Sequence, residues 1–217
     1  AVSMMDWSSQ QLTPLLIIDQ YSLLFTVVVC ASAMALAILS FPYFFELDDE
    51  REEYFLLLTV ATIGAIVMVS SNHFVSTVLG LETLSMSLYG MIAYPLHNAK
   101  SAKTPLEASV KYLVLSATAS GFILFGMALI YAQTGTLSFV SVAALPAAGL
   151  GDAYTIIALL MIVSGMVFKL SLAPFHMWTP DVYEGAPLPA TAYLATIAKA
   201  AMFVVLLRFV QISEALS

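Results

Sequence analysis

The composition of this chain is typical of a membrane protein. Its 217 residues are 61% hydrophobic and 10% charged, with a mean hydropathy of +0.95, whereas soluble chains carry about a quarter charged residues. This excludes a soluble globular enzyme and a disordered chain. Seven Lys and Arg against fourteen Asp and Glu give a net charge of −7. Such a chain has no face to neutralise phosphates, so nucleic acid is excluded as a partner and the lipid bilayer is expected as the surrounding solvent.

Six apolar windows are long enough to cross a bilayer, which takes about 20 helical residues. We label them helices A to F, and they cover residues 20–42, 54–71, 74–94, 108–132, 153–173 and 188–212. A fully buried soluble bundle is disfavoured by their number. The apolar runs are continuous and do not alternate, so no strand is predicted. The predicted fold class is all-α, a polytopic transmembrane helix bundle forming a single membrane domain over residues 1–217.

The segments outside these windows are less informative. Helix A is expected to stop at Pro42. The Ala-rich stretch 137–149 is too short to span and predicts an interfacial helix or a packed surface loop. Cys30 lies inside an apolar run and predicts packing, not a disulfide or a metal site. No signal peptide is expected, and because the chain lacks an initiator Met and ends directly after an apolar segment, we expect it to be part of a longer subunit.

The orientation in the membrane follows from Lys and Arg in short loops. Arg51 lies in the A–B loop, and Lys100 and Lys103 lie in the C–D loop. The N-terminal segment and the B–C and D–E loops have none. This pattern predicts that the A–B, C–D and E–F loops face the cytoplasm and that both chain ends lie on the periplasmic side.

Three ionisable residues lie at depths that lipid disfavours. Glu82 and Lys199 are near the middles of helices C and F, and Lys169 is deep in helix E. Each costs about 2.5–3.5 kcal/mol on the insertion scale, so each is a candidate functional residue. They cannot all face lipid, which predicts an interior cluster in which Glu82 pairs with Lys169 or Lys199. The structural alternative is a static ion pair, but one base is left over, and a desolvated lysine can exchange protons near neutral pH.

A break is predicted in helix E. Pro174 follows Lys169 by five residues, lacks an N–H and crowds the carbonyl of Leu170, so we predict one broken helix over 153–180. Residues 175–189 are too polar and proline-rich to remain helical in lipid. Irregular backbone at membrane depth is tolerated where it is buried in protein or lines a watery cavity. The break beside a lysine therefore indicates an ion path, and a plain helix end is the alternative.

Further candidates lie closer to the span ends. Lys111, near the start of helix D, either snorkels to the interface or extends the lysine series. His176, beside the break, is a candidate proton relay because imidazole titrates near physiological pH. His73 and His97 are expected to be solvated or anchoring histidines.

A polar stripe is predicted on helix C. Glu82, Ser85 and Tyr89 fall on one helical face and are suited to hold water. Asp181 and Glu184, in the E–F connection, are expected to cap helices or satisfy loop amides.

Three motifs carry a resemblance to a known family. They are residues 79–82 (LGLE), 108–113 (ASVKYL) and 168–187 (FKLSLAPFHMWTPDVYEGAP). They closely resemble the antiporter-like subunits of proton-pumping NADH:quinone oxidoreductase, respiratory complex I, with bacterial N subunits as the best match over roughly residues 15–213.

The resemblance implies specific roles. Glu82 and Lys169 would form the coupled pair of a half-channel, Lys199 would be the central proton-carrying residue, and Lys111 matches a lysine of the same series. The chain would be one leading helix plus the first of two inverted five-helix repeats, in a bacterial inner membrane. The other membrane subunits would be its partners. NADH, FMN, iron–sulfur clusters and quinone would be bound in partner subunits, and this chain would hold no cofactor or metal and bind no soluble substrate directly.

Two other functions remain open. The second hypothesis is a subunit of a multisubunit cation/proton antiporter, whose membrane subunits share this fold. A structural anchor that no longer conducts is the third reading, and the three charges at mid-membrane depth argue against it.

Overall fold

The computed structural model describes residues 10–46, 52–94, 103–144 and 153–216, which are almost entirely helical. A hairpin of β1 (Gln10–Thr13) and β2 (Leu16–Ile18) precedes the helices. These are α1 (Gln20–Glu46), α2 (Glu52–Val69), α3 (Phe74–Ala93), α4 (Lys103–Thr134), α5 (Phe139–Ala143), α6 (Ala153–Lys169), α7 (Trp178–Gly185), α8 (Leu188–Tyr193), a π-helical turn (Leu194–Ala198) and α9 (Lys199–Leu216). The all-α prediction is confirmed.

Five helices within the described ranges are long and apolar enough to cross a bilayer. They correspond to predicted helices A, B, C, D and F, and α8, the π-helical turn and α9 together form helix F. Predicted helix E is α6, whose 17 residues end at Lys169 and not at residue 173. At 1.5 Å per residue α6 is about 26 Å long, slightly short of the hydrocarbon core. The irregular backbone after Lys169 is therefore expected to begin within the hydrocarbon core, close to its edge.

The prediction that helix A ends at Pro42 is wrong, because α1 continues to Glu46. A proline this close to a helix end removes only one backbone hydrogen bond. The last turn is held by packing instead. Phe44 is fully buried, and its ring centroid lies 4.4 Å from that of Tyr54 and 5.5 Å from that of Tyr94.

The prediction that the chain contains no strand is wrong. β1 and β2 pair antiparallel with Gln10 opposite Ile18. The hairpin lies before the first span, where the criterion of long alternating membrane strands does not apply. Its second strand is also paired outside the hairpin, since Ile17 N–H donates to the Ser70 carbonyl at 2.9 Å.

The hairpin and two connections meet at one end of the bundle, which we call the hairpin end (residues 10–19, 70–73 and 135–144). The Asn72 N–H donates to the Leu15 carbonyl at 3.0 Å, and the Phe139 N–H donates to the Asn72 carbonyl at 3.3 Å. Phe139 begins the short helix α5 and is fully buried. Part of the stretch predicted to form an interfacial helix or a packed surface loop is thus a short helix, Phe139–Ala143, and residues 145–149 lie outside the described ranges.

The start of α4 packs against helix α7 in a second region, separate from the hairpin end. We call this region the α7 end (residues 103–111 and 178–187). A Cβ atom on Gly185 of α7 would lie 2.6 Å from the Ala108 Cβ of α4. The described residues next to the spans thus include two separate groups, the hairpin end and the α7 end.

Small residues allow the helices to approach closely. A Cβ atom on Gly64 of α2 would lie 2.7 Å from the Gly80 carbonyl oxygen of α3, and one on Gly165 of α6 would lie 2.7 Å from the Ala119 carbonyl oxygen of α4. Packing of this kind holds membrane helices together where the hydrophobic effect does not. Large apolar side chains are exposed on the outer faces, where lipid is expected. Cys30 is exposed on α1 as well, so the expectation that it packs is wrong.

Candidate functional site

The buried lysine of the broken helix is held by two serine hydroxyls. Lys169 is the last residue of α6 and is 9% exposed. Its Nζ donates to Ser116 Oγ on α4 at 2.6 Å and to Ser85 Oγ on α3 at 3.1 Å. The ammonium group is thus held where three helices meet.

The Glu82 carboxylate is hydrogen-bonded to the same face of α4. Ser120 Oγ donates to Glu82 Oε1 at 2.5 Å. Ser116 and Ser120 are four residues apart, so they lie one helical turn apart on one face, as Glu82 and Ser85 nearly do on α3. We call Glu82, Ser85, Ser116, Ser120 and Lys169 the serine-bridged cluster.

The contact predicted between Glu82 and a lysine is therefore indirect. Among the described residues the salt bridges join Lys111 to Glu107 and Asp181, and Arg208 to Asp19. Glu82 and Lys169 do not pair directly because each forms a hydrogen bond with a serine on the same face of α4. Hydroxyls donate and accept hydrogen bonds, so this arrangement is capable of passing protons.

Tyr89 extends the cluster toward the C-terminal end of α3. Its hydroxyl donates to Ser116 Oγ at 3.0 Å, and Ser109 Oγ donates to the Tyr89 carbonyl oxygen at 2.8 Å. The polar stripe predicted on helix C is thus connected by hydrogen bonds to the lysine of helix E.

The predicted break in helix E is confirmed. The α-helix ends at Lys169, and Ser171 adopts a left-handed conformation with φ of 56°. Trp178 Nε1–H donates to the Phe168 carbonyl oxygen at 3.2 Å, which closes the irregular segment back onto α6.

Residues 178–185 are helical, contrary to the expectation that this polar segment would be irregular. Trp178, Val182 and Gly185 form a buried face of α7, and Asp181 lies in its first turn, where a carboxylate is favourable. This packing stabilises two helical turns that composition alone disfavours.

Lys199 lies apart from the serine-bridged cluster. It begins α9 directly after the π-helical turn, a feature that often marks functional sites. Its Nζ lies 5.3 Å from the centroid of the Tyr183 ring on α7, within range of a cation–π interaction. The structure therefore brings Lys169, and not Lys199, into contact with the residues that hold Glu82.

Lys111 is partly exposed and ion-paired near the start of α4, which favours the snorkelling interpretation. Its side chain is 43% exposed and its Nζ lies 2.9 Å from Glu107 and 3.0 Å from Asp181. A cavity of about 160 Å³ opens beside it, lined also by Glu184 and Gly185. Asp181 thus pairs with Lys111 across the α7 end.

The histidines differ in their surroundings. His176 is exposed on the irregular segment, outside the serine-bridged cluster. His73 caps α3, since its Nδ1 accepts from the Val75 N–H at 3.2 Å. Burial lowers the pKa of His73. His97, Arg51 and Lys100 lie outside the described residues.

Sequence reasoning missed a buried ion pair at the hairpin end. Arg208 is 6% exposed and donates to both carboxylate oxygens of Asp19 at 3.0 Å and to the Val69 carbonyl oxygen at 3.2 Å. Burial raises the pKa of Asp19, but hydrogen bonds from the Ser22 backbone and from Arg208 outweigh it and the net shift is downward. The available signal was one arginine at the end of helix F and one aspartate before helix A, which the predicted topology places on the same side.

The described residues include no group of three or more His, Cys, Asp or Glu side chains positioned to hold a metal ion.

Comparisons with known proteins agree with this architecture. A family profile described as NADH:quinone oxidoreductase/Mrp antiporter, transmembrane, matches residues 71–217. NADH-quinone oxidoreductase subunit N of Nitrosospira multiformis is 48% identical over 205 residues, covering 93% of this chain and 39% of that protein. The chain therefore spans about two fifths of the length of this relative.

Solved structures give similar matches. Respiratory complex I from Thermus thermophilus aligns with a TM-score of 0.76 at 33% identity, covering 93% of this chain and 42% of that one. The archaeal membrane-bound sulfane sulfur reductase aligns with a TM-score of 0.74 at 29% identity, covering 88% and 38%. The Mrp complex from Dietzia sp., at 20% identity and a TM-score of 0.66 over 88% and 35%, shares the fold.

Proposed function

The chain belongs to the NADH:quinone oxidoreductase/Mrp antiporter transmembrane family, and on that premise we propose that it is a proton-translocating half-channel within a membrane subunit of NADH:quinone oxidoreductase. The observation that carries this proposal is the buried Lys169, held by serines that also reach Glu82 and placed at the break in a membrane helix. An ionisable group beside irregular backbone at membrane depth is expected on an ion path.

The proposal assigns this chain to one leading helix, α1, and the first five-helix repeat of a longer subunit in a bacterial inner membrane. NADH is oxidised and quinone is reduced in partner subunits, which bind the FMN, the iron–sulfur clusters and the quinone. We assign the α7 end to the cytoplasm, because Lys103 lies there at the start of α4, and because Arg51 and Lys100 belong to the loops that the sequence pattern assigns to the same side.

The mechanism is electrostatic. A proton on Lys169 is stabilised by the nearby Glu82 carboxylate through the intervening hydroxyls, and it becomes easier to release when positive charge increases nearby. Lys199, which lies apart from the serine-bridged cluster, acts on Lys169 indirectly, through α7. It contacts Tyr183 of α7, and α7 is joined through the irregular segment to Lys169, so a change in charge on Lys199 acts on the helix break.

A Lys169→Met variant of the intact complex in proteoliposomes tests this function. Positioned proton transfer contributes roughly 100-fold or more, so NADH-driven acidification is expected to fall at least about tenfold. Lys111→Met is the matched control, because that lysine is 43% exposed, and it is expected to retain most of the activity. Wild-type acidification by an assembled Lys169→Met complex would refute the proposal.

A cation/proton antiporter is the second candidate, and the family profile and the shared fold of the Mrp complex favour it. Proton movement driven by a sodium gradient, without NADH:quinone activity in the purified assembly, would support this candidate over the first.

A further inference from the structure

We propose that Tyr89 and Ser116 form a hydroxyl relay that delivers protons to Lys169 from the α7 end of the bundle. This inference rests on the proposed function and adds to it the route by which Lys169 is loaded. It assigns roles to two residues that carry no charge.

Ser116 lies at the centre of the relay. Its Oγ accepts from Lys169 Nζ at 2.6 Å and from the Tyr89 hydroxyl at 3.0 Å. A hydroxyl has two acceptor positions and one donor, so both acceptor positions are occupied while Lys169 is an ammonium group. When Lys169 is a neutral amine, its lone pair becomes an acceptor. The Ser116 hydroxyl is then able to donate to this amine. The two hydrogen bonds, from Tyr89 to Ser116 and from Ser116 to Lys169, then have the same direction.

The other end of the relay points toward the α7 end. Tyr89 is partly exposed, and its ring lies 5.3 Å from that of Tyr112, which in turn lies 5.3 Å from the ring of Trp178 on α7. Lys111, beside the 160 Å³ cavity, precedes Ser116 by five residues on α4, or about 7.5 Å along the helix axis. Tyr89 therefore lies on the side of the buried lysine that faces the α7 end, and the relay requires water to reach its hydroxyl past the buried rings of Tyr112 and Trp178.

The transfer balances as a proton relay. The O–H bond of Ser116 breaks as an N–H bond forms on neutral Lys169. The Tyr89 hydroxyl proton moves to the Ser116 oxygen, and the Tyr89 oxygen takes a proton from a hydronium ion that arrives through water from the aqueous phase. One hydronium becomes water, Lys169 becomes an ammonium group, and both hydroxyls are restored with their hydrogen bonds reversed; rotation of the two hydroxyls then returns Tyr89 to donating to Ser116, as in the structure.

The Tyr89→Phe variant of the intact complex tests the relay because it removes only the hydroxyl and keeps the ring against Tyr112. We expect NADH-driven proton transport in proteoliposomes to fall at least about tenfold, given the roughly 100-fold or greater contribution of positioned proton transfer and partial replacement by water. The solvent deuterium isotope effect on transport is expected to increase.

Ser116 offers a matched set of variants. Ser116→Ala is expected to reproduce the loss, and Ser116→Thr, which keeps a hydroxyl, is expected to restore transport to within about threefold of wild type, since replacing one hydroxyl by another preserves the donor and acceptor. Ser87→Ala is the control. Ser87 is also buried, but its hydroxyl donates to the Thr83 carbonyl of its own helix at 2.9 Å, so transport should be unchanged.

Wild-type transport in both Tyr89→Phe and Ser116→Ala would overturn the relay, as would a failure of Ser116→Thr to restore transport in an assembled complex. If Lys169→Met abolishes transport while both hydroxyl variants retain it, the relay is wrong and the half-channel stands. If Lys169→Met also retains transport, the proposed function itself is wrong.

Discussion

At the residue scale, two ion pairs at opposite ends of the bundle differ in their surroundings. Arg208 and Asp19 meet in a bidentate contact with side-chain exposures of 7% and 27%, whereas Lys111 and Asp181 have exposures of 43% and 59%. A buried charge that loses its partner is costly, but exposed pairs contribute little. Removing one partner is therefore expected to destabilise the protein more at the Arg208–Asp19 pair than at the Lys111–Asp181 pair.

Replacing Asp19 by Asn tests this difference. The free energy of unfolding is expected to fall by about 2 kcal/mol, the typical value for a hydrogen bond to a charged group, because Arg208 keeps its burial but loses the carboxylate. Thermal unfolding of the purified protein in detergent measures the effect. Asp181→Asn, the same substitution in the exposed pair, should change stability little, and an equal loss in both variants would contradict the account.

The same pair predicts a pH dependence. Because the pKa of Asp19 is lowered in the folded protein, its contribution to stability is present above the ordinary value of 3.8 and is lost as the pH falls through the folded-state pKa. The unfolding temperature of the wild type should therefore decrease below about pH 4 more steeply than that of Asp19→Asn. Parallel decreases in the two proteins would show that Asp19 does not contribute.

Sequence reasoning identified the charged site residues and the hydroxyls of Ser85 and Tyr89 on helix C, but not the serines of helix D. Glu82 and Lys169 stand out because charge is rare and costly in a membrane span. Ser116 and Ser120 do not, because serines in membrane helices commonly bond to carbonyls of their own helix. Only the rotation of α4 against α3 and α6, which depends on packing, directs both hydroxyls toward the charged groups.

At the element scale, the crossing of α2 and α3 depends on two glycines in contact. A Cβ atom on Gly64 would lie 2.7 Å from both the Gly80 carbonyl oxygen and the Leu84 backbone nitrogen. Neither backbone atom is able to move without separating the helices. This crossing holds Glu82 and Ser85 at the depth of Lys169.

Gly64→Ala is expected to lower the free energy of unfolding by about 1–3 kcal/mol, the usual cost of overpacking a core. Gly121→Ala is the matched control, because a Cβ atom at that position of α4 meets nothing within 4 Å. That variant should be neutral or stabilised by up to about 1 kcal/mol. Thermal unfolding in detergent distinguishes the two, and a neutral Gly64→Ala would contradict the packing described for α2 and α3.

Prolines predicted one helix end correctly and another incorrectly. Pro174 marks the break after Lys169, where the following residues also turn polar. Pro42 does not end α1, because the aromatic packing of Phe44 against Tyr54 holds the last turn. The hairpin and α7 were missed for a related reason, since both depend on contacts with distant segments, such as Ile17 with Ser70, and hydropathy does not report such contacts.

At the scale of the whole molecule, the described residues next to the spans include a hairpin end and an α7 end. The proposed orientation, taken from the loop lysines and arginines, places the α7 end in the cytoplasm. The direction of proton transfer through Tyr89 depends on this orientation.

Cysteine labelling tests the orientation. In a Cys30→Ser background, Gln11→Cys, exposed in β1, should react with a membrane-impermeant maleimide in right-side-out vesicles. Glu184→Cys, exposed at the α7 end, should react in inside-out vesicles only. The reverse pattern would invert the proposed topology and the direction of uptake.

The central claim is that Glu82 and Lys169 act as one proton-transferring unit. The most direct measurement is the proton-to-electron ratio of the intact complex carrying Glu82→Gln, Lys169→Met or both. Groups that act as a unit are not additive, so each single variant should lower the ratio and the double variant should be no worse than the more impaired single variant. Losses that multiply in the double variant, or a wild-type ratio in either single variant, would contradict the account.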